Sequence, residues 1–268
     1  MRIGITVTAF NRREFTEQCL LSILWSKPQE TAVCLVDNGS TDGTRELLLE
    51  YYNKHDIFKH IIFNKDNLYV GRAINQGWGL LASNCDAVMA INNDFLLAPG
   101  WDNNVRACME ELNIDWLIGS VRPSWAQYSK KTLTGKGTYT NFRGMGAAIC
   151  LRSKHFINGI RPSSELWGRP GYVGHGSSWY KKLKESFPDQ EVIRLASPGI
   201  VVRNSEYIKP EYVEYYNQTF NTRGRENQLA RFRALDKAGK PRGWMDWKEF
   251  LKRYHLREWR LSILRRQF

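Results

Sequence analysis

Between residues 2 and 91, short apolar runs alternate with helix-length segments, and that alternation leaves few architectures open to the chain. Strands are predicted at 2–9, 32–36, 57–63 and 86–91, and helices at about 12–26, 42–54 and 70–83. Strands joined by helices of this length need right-handed crossovers, and therefore a mainly parallel sheet. Asn11 and the run Ser40-Thr41-Asp42 are placed to cap the first two helices. The fourth strand, Ala87-Val88-Met89-Ala90-Ile91, stops abruptly at Asn92-Asn93-Asp94. Polar side chains that end a buried strand lie at the carboxyl edge of the sheet, where open α/β folds bind ligands, and an Asp there can hold a divalent cation.

The other three strands end in the same way. Thr8-Ala9-Phe10-Asn11-Arg12 closes the first and Val36-Asp37-Asn38-Gly39-Ser40-Thr41-Asp42-Gly43-Thr44 the second, while Asn67-Leu68-Tyr69-Val70-Gly71-Arg72-Ala73-Ile74-Asn75-Gln76-Gly77 follows the third. A parallel sheet brings all four polar ends to one edge.

This ordered set, above all VDNGSTDGT at 36–44 and INNDFLLAPGW at 91–101, resembles the family 2 nucleotide-sugar glycosyltransferases of the GT-A fold over roughly residues 1–205. The resemblance implies an α/β fold: a GT-A (Rossmann-like) mixed, mostly parallel sheet flanked by helices, here with a basic helical C-terminal extension. It divides the chain into a donor half (1–121), an acceptor-side half of the same domain (122–209) and the extension (210–268). It also implies that Thr8 and Ala9 line a base pocket, with Asn11 beside them, and that Asp37 accepts a hydrogen bond from the base. Asn67, Gly71, Arg72 and Asn75 would close over the nucleotide, Asn93 would lie near the ribose with Asn92 also on the donor side, and Asp94 would be the metal-binding acid. The implied donor is a UDP-sugar, or a dTDP- or GDP-sugar, with Mn²⁺ or Mg²⁺. The chemistry agrees, because a departing nucleoside diphosphate gains negative charge that a carboxylate-held cation stabilises. One carboxylate suffices when diphosphate and water supply the other ligands.

Two departures from the family pattern matter. Members often carry an acidic pair near the acceptor, but the matching stretch Gly171-Tyr172-Val173-Gly174-His175-Gly176-Ser177-Ser178-Trp179 has no carboxylate. His175 is the expected proton acceptor, with Glu165 and Asp102 in reserve. Where members often place a metal-binding His, Val201-Val202-Arg203 puts an arginine, which cannot ligate a cation. Arg203, Arg223 or Arg225 would instead neutralise the diphosphate directly.

Charge points to the acceptor. Residues 1–121 hold 10 Lys/Arg against 15 Asp/Glu, a balance of −5, and residues 122–268 hold 29 against 12, a balance of +17. A field of that sign concentrates polyanions on one side of the molecule. The stretch 122–144, expected as a long mobile loop, interleaves Trp125 and Tyr128 with Lys130, Lys131 and Arg143; Gly146, Trp167, Trp179 and Lys181 continue the acceptor side. Basic residues interleaved with aromatics suit a phosphate backbone with stackable bases. A strand follows at 144–151 and a basic helix at 179–185.

Two acceptors fit. One is a hydroxymethylated pyrimidine in virus-type DNA, which basic loops over the acceptor site favour narrowly. The other is a lipid-linked or cell-surface glycan, with the amphipathic tail docked on an anionic membrane as a peripheral contact. From a different class comes an inactive nucleic-acid-binding module, with the missing acidic base as its support.

Cys19, Cys34, Cys85, Cys108 and Cys150 are odd in number and lack C-x-x-C spacing, so buried thiols are expected rather than bridges or zinc ligands. No apolar run reaches the roughly 18 residues that span a bilayer. With strand character from the first residues, the sequence reads as cytoplasmic, including the cytoplasm of an infected host cell.

Overall fold

The computed structural model describes residues 1–121, 131–133, 137–141, 148–162, 175–197, 199–202 and Lys252. Its first half is the expected alternation: β1 (Ile3–Ala9), α1 (Arg13–Ser26), β2 (Thr31–Asp37), α2 (Thr44–Lys54), β3 (Phe58–Phe63), α3 (Tyr69–Leu81) and β4 (Ala87–Asn92). After it come β5 (Phe95–Leu97), α4 (Trp101–Glu111), β6 (Trp116–Ile118), β7 (Ser120–Val121), β8 (Lys131–Leu133), β9 (Gly137–Asn141), β10 (Ile149–Arg152), α5 (Ser153–Ile157), α6 (His175–Ser186), β11 (Ile193–Ser197) and β12 (Ile200–Val202).

Nine strands form one sheet in the order β3-β2-β1-β4-β10-β6-β11-β9-β8, and β5-β12-β7 form a second, smaller one. The pairs β3-β2, β2-β1, β1-β4 and β6-β11 are parallel, whereas β10 runs against both its neighbours and β9 against both of its own. The expected mixed, mostly parallel sheet is therefore present. The chain leaves β1 toward β2 and β3 on one side, then returns to place β4 on the other, which makes the β1/β4 boundary a topological switch point.

The period-2 pattern of the strands explains the two layers. Ile3, Ile5 and Val7 of β1, Val33 and Leu35 of β2 and Met89 and Ile91 of β4 face one core, shared with Cys19, Leu20 and Ile23 of α1, Leu47 and Leu48 of α2 and Trp101 and Val105 of α4. Cys34, Val36 and Val88 face the other, which holds Ala73, Ile74, Trp78 and Leu81 of α3, Phe156 of α5 and Trp179 and Leu183 of α6. On that second side helix α3 lies very close to β1. A Cβ added at Gly77 would stand 2.3 Å from Thr6 Oγ1, so only glycine admits this approach.

Two expectations need correction. Among the described residues of 122–144, β8 and β9 pair as an antiparallel hairpin that joins the main sheet through β11, so this stretch is not loop throughout. Asn11 does not cap α1; Arg12 occupies the N-cap position in a left-handed conformation and makes no side-chain cap bond. Asp42 caps both helices instead. Its Oδ2 accepts the Arg13 N–H (3.0 Å) at the start of α1, and its Oδ1 accepts the Thr44 N–H (3.1 Å) at the start of α2.

Candidate functional site

The site is built from the residues that follow β1 and β4. Thr8 Oγ1 donates to Asn92 Oδ1 (3.0 Å) and the Asn93 N–H to Thr8 O (3.0 Å), which ties the two strand ends together. Asn11 (φ 53°) and Arg12 (φ 65°) are consecutive non-glycine residues in the left-handed region, a strain of order 1 kcal/mol each. The buried amide of Asn93 holds that turn. Its Nδ2 donates to Asn11 O and to Thr16 Oγ1, both at 2.8 Å, while its Oδ1 accepts from Arg12 Nη2. Arg12 Nη1 stands 3.6 Å from Asp94 Oδ2, with the two side chains only 11% and 9% exposed. The second Asp94 oxygen, Oδ1, is buried and has no hydrogen-bond partner.

The Asp37 loop sits beside this cluster. Asp37 is wholly buried, its Oδ1 accepting the Ser40 N–H (3.2 Å) and its Oδ2 Arg45 Nε (3.0 Å). Arg45 also donates from Nη2 to Asn64 O (2.7 Å) and lies 5.0 Å above the Phe63 ring. The expected base acceptor thus already has a partner on each oxygen. Asn11 Oδ1 accepts the Thr41 N–H and its own N–H donates to Ser40 Oγ, both at 2.8 Å, so the first two polar loops are zipped together.

The third motif arrives through amides. Asn38 Nδ2 donates to Asn67 Oδ1 (2.7 Å), Asn38 Oδ1 accepts from Asn64 Nδ2 (3.1 Å) and the Leu68 N–H (3.0 Å), and Asn64 and Gln76 exchange bonds at 2.9 Å. A Cβ on Gly39 would stand 2.9 Å from the Asp66 carbonyl carbon, and Gly39 has φ +84°, so this junction requires glycine. Within α3, Gly71 is buried, Arg72 is exposed, and Asn75 donates to Pro162 O (3.0 Å) while its Oδ1 is buried without a partner.

The structure thus brings Thr8, Ala9, Asn11, Asp37, Asn67, Asn92, Asn93 and Asp94 to one edge. It separates others from them. Asp102 lies at the opposite, amino-terminal edge: its Oδ2 accepts the Gln29 N–H (2.9 Å) and Arg106 Nη1 (2.6 Å), and Arg106 Nε donates to Met1 O (2.8 Å). It is removed from the candidate proton acceptors. Trp179 is also corrected, because it is 2% exposed and its ring lies 6.1 Å from that of Trp78 in the α3 core, out of reach of an acceptor. Lys181 is exposed on α6, 3.7 Å from Glu185. His175 is the first residue of α6 and Lys131 the first of β8. Glu165, Arg203, Arg223, Arg225, Trp125, Tyr128, Lys130, Arg143, Gly146 and Trp167 lie outside the described residues.

Arg12, Asn38, Arg45, Asn64 and Gln76 carry this edge and had been given no role. Arg12 was visible as the residue after Asn11 in a strand-end motif, yet nothing local says that its side chain reaches a residue 82 positions on. All five cysteines are free and buried as expected, with burial pushing the thiols of Cys34, Cys108 and Cys150 up to about 12. Among the described residues no helix is long and apolar enough to cross a membrane.

The sequence model of the family described as glycosyl transferase family 2 matches residues 5–158, more than half of the chain. The chain belongs to that family. It is 25% identical over 223 residues to a chondroitin synthase of Escherichia coli, a match that covers 77% of this chain and 30% of that protein. Among solved structures, S. aureus TarS (residues 1–349) superposes with a TM-score of 0.56 at 15% identity, covering 75% of this chain and 59% of that fragment. The mannosyltransferase PcManGT of Pyrobaculum calidifontis, in complex with GDP-Man and Mn²⁺, superposes with a TM-score of 0.52 at 14% identity, covering 74% and 55%. At these identities the structures show a shared GT-A fold. The chain spans less than a third of the chondroitin synthase and under two thirds of TarS.

The donor chemistry of Asp94 suits a cation held mostly by other ligands. No group of three or more His, Cys, Asp or Glu able to hold a metal occurs among the described residues, and Asp94 Oδ1 is a buried carboxylate oxygen without a hydrogen-bond partner at this edge.

Proposed function

We propose that this family member transfers a glycosyl group from a nucleoside diphosphate sugar to a hydroxyl of a polyanionic acceptor. The observation that carries the reading is the carboxyl-edge cluster at the switch point, where Asp94 keeps one oxygen uncommitted beside the positive charge of Arg12. Asp94 would hold Mn²⁺ or Mg²⁺ against the two phosphates, and the cation when bound would stabilise charge on the leaving diphosphate. Structures of TarS with UDP-GlcNAc and of PcManGT with GDP-Man and Mn²⁺ support a donor of this class. Ser40 and Arg45 each take one acceptor site on the Asp37 carboxylate, which leaves each oxygen a second site for a base N–H. His175 is the proposed proton acceptor. It is the first residue of α6.

For the acceptor, the charge of +17 over residues 122–268 supports hydroxymethylated pyrimidine in DNA. The likeness to a chondroitin synthase favours a second reading, a lipid-linked or cell-surface glycan. A transfer assay tests both. Radiolabelled UDP-, GDP- and dTDP-sugars with Mn²⁺ are offered hydroxymethylated duplex DNA or, separately, a lipid-linked glycan extract. Label in DNA is the expected result, and DNA binding should weaken steeply with salt. Label in the lipid fraction alone would overturn the DNA reading, and no transfer together with no nucleotide binding would overturn the transferase itself.

A further inference from the structure

We propose that Tyr69 is a stacking platform for the nucleobase of the donor, kept in place at a cost to the stability of the fold. The inference rests on the donor-site reading above and adds a residue to it.

Three observations meet at this side chain. Tyr69 opens α3 with φ 62°, in the left-handed region where a side chain crowds its own backbone, and it is the one aromatic among the described non-glycine residues with positive φ. Its ring gains little packing in return. It belongs to neither core layer and is 41% exposed, and among the described residues its side chain has no hydrogen bond or ring contact. The strained backbone is nevertheless fastened to the turn after β2. Asn67 Oδ1 accepts both the Tyr69 N–H (2.8 Å) and Asn38 Nδ2 (2.7 Å), and Asn38 Oδ1 accepts the Leu68 N–H (3.0 Å). Strain that the fold does not reward marks a residue that a ligand rewards.

The position along the edge identifies which part of the ligand that is. With strands in the order β3-β2-β1-β4, the end of β3 lies three strands from the end of β4, about 14 Å at the usual spacing. That distance is beyond the reach of a tyrosine, and it is comparable to the span of a nucleoside diphosphate from terminal phosphate to base. A donor laid across the edge with its phosphates at Asp94 therefore brings its flat base to the β2–β3 side, where the tyrosine offers a face of the same kind. Stacking suits every base, so Tyr69 supplies affinity while polar groups of the turn after β2 read identity. Glycine would relieve the strain and offer no ring.

The test is binding of UDP and of GDP to the full chain with Mg²⁺, measured by calorimetry beside thermal melts. Y69F, which keeps the ring, should bind the preferred nucleotide within twofold of wild type. Y69L keeps the strained backbone and an apolar side chain without the ring, and should bind about fivefold or more weakly with an unchanged melt. Y69G should lose affinity to the same extent yet melt no lower than wild type, so that affinity and stability part company. In proton NMR the base protons of the nucleotide should move upfield on binding to wild type and Y69F and not to Y69L, a ring-current signature that a merely structural tyrosine would not give. Equal affinity in folded Y69L and Y69F overturns the stacking role and leaves the donor reading standing. If neither nucleotide binds the wild-type protein, the donor reading fails and this inference with it.

Discussion

Two buried Asp–Arg pairs lie at opposite edges of the main sheet and differ in how completely they close. At the amino edge Asp102 and Arg106 meet at 2.6 Å, and the same carboxylate oxygen also accepts a backbone N–H, while Arg106 donates to the Met1 and Gln29 carbonyls. At the carboxyl edge Arg12 and Asp94 stand 3.6 Å apart, and one Asp94 oxygen is left over. Burial is nearly the same in both. The difference is that the first pair joins a helix to two strand entrances and leaves no carboxylate oxygen both buried and unpartnered, whereas the second retains such an acceptor in a place that water does not easily reach. An unsatisfied buried acceptor destabilises a fold, and natural proteins tolerate one where a ligand supplies the missing partner.

Substitutions can break this contrast. Asp94→Ala should lower turnover at least a hundredfold, about 3 kcal/mol of transition-state stabilisation, with a melting temperature close to wild type. Steady-state kinetics and a thermal melt check it, and unchanged turnover would end the assignment. Asp102→Ala should do the reverse: it strands the partly buried Arg106 and should destabilise the fold by about 3 kcal/mol, while turnover per folded molecule holds. Urea denaturation with an activity measurement distinguishes the two.

Asp42 extends the comparison to a carboxylate that is fully engaged yet outside an ion pair. Asp42→Ala should cost about 1–2 kcal/mol, because two helix starts lose a cap at once. The smallest effect is expected at Asp115. Although its burial favours the neutral form, the hydrogen bond and charge of His155 and the charge of Lys154 hold its pKa below the usual carboxylate value. A lowered folded-state pKa stabilises the fold above the unfolded-state pKa, and that contribution is lost as pH falls through the folded value. Asp115→Asn should therefore cost well under 1 kcal/mol at neutral pH and flatten the acid limb of a stability profile.

Much of the fold was legible because it follows from local periodicity. The apolar runs placed β1 to β4 within one or two residues, and the helix expected at about 70–83 is α3, from Tyr69 to Leu81. The short strands β5 and β12 were not, since three residues carry no periodicity and pair only after the larger sheet exists. In the site, the motifs correctly gathered Thr8, Asp37 and Asp94 at one edge. What they could not supply was direction. Asn11 had the residue type of a cap and instead joins two loops, and Asp102 had the residue type of a base and faces the wrong edge. Trp179 shows the same limit, since an aromatic beside lysines reads equally as a stacking platform or as core.

The five cysteines have a practical consequence. Cys19, Cys108 and Cys150 lie in the layer beneath α1 and α4, Cys34 and Cys85 in the layer beneath α3, and every one is buried. A thiol reagent added to the native protein should therefore find no target until a layer opens. The time course of labelling, read peptide by peptide, would clock the breathing of the two halves of the interior separately, with no engineered probe.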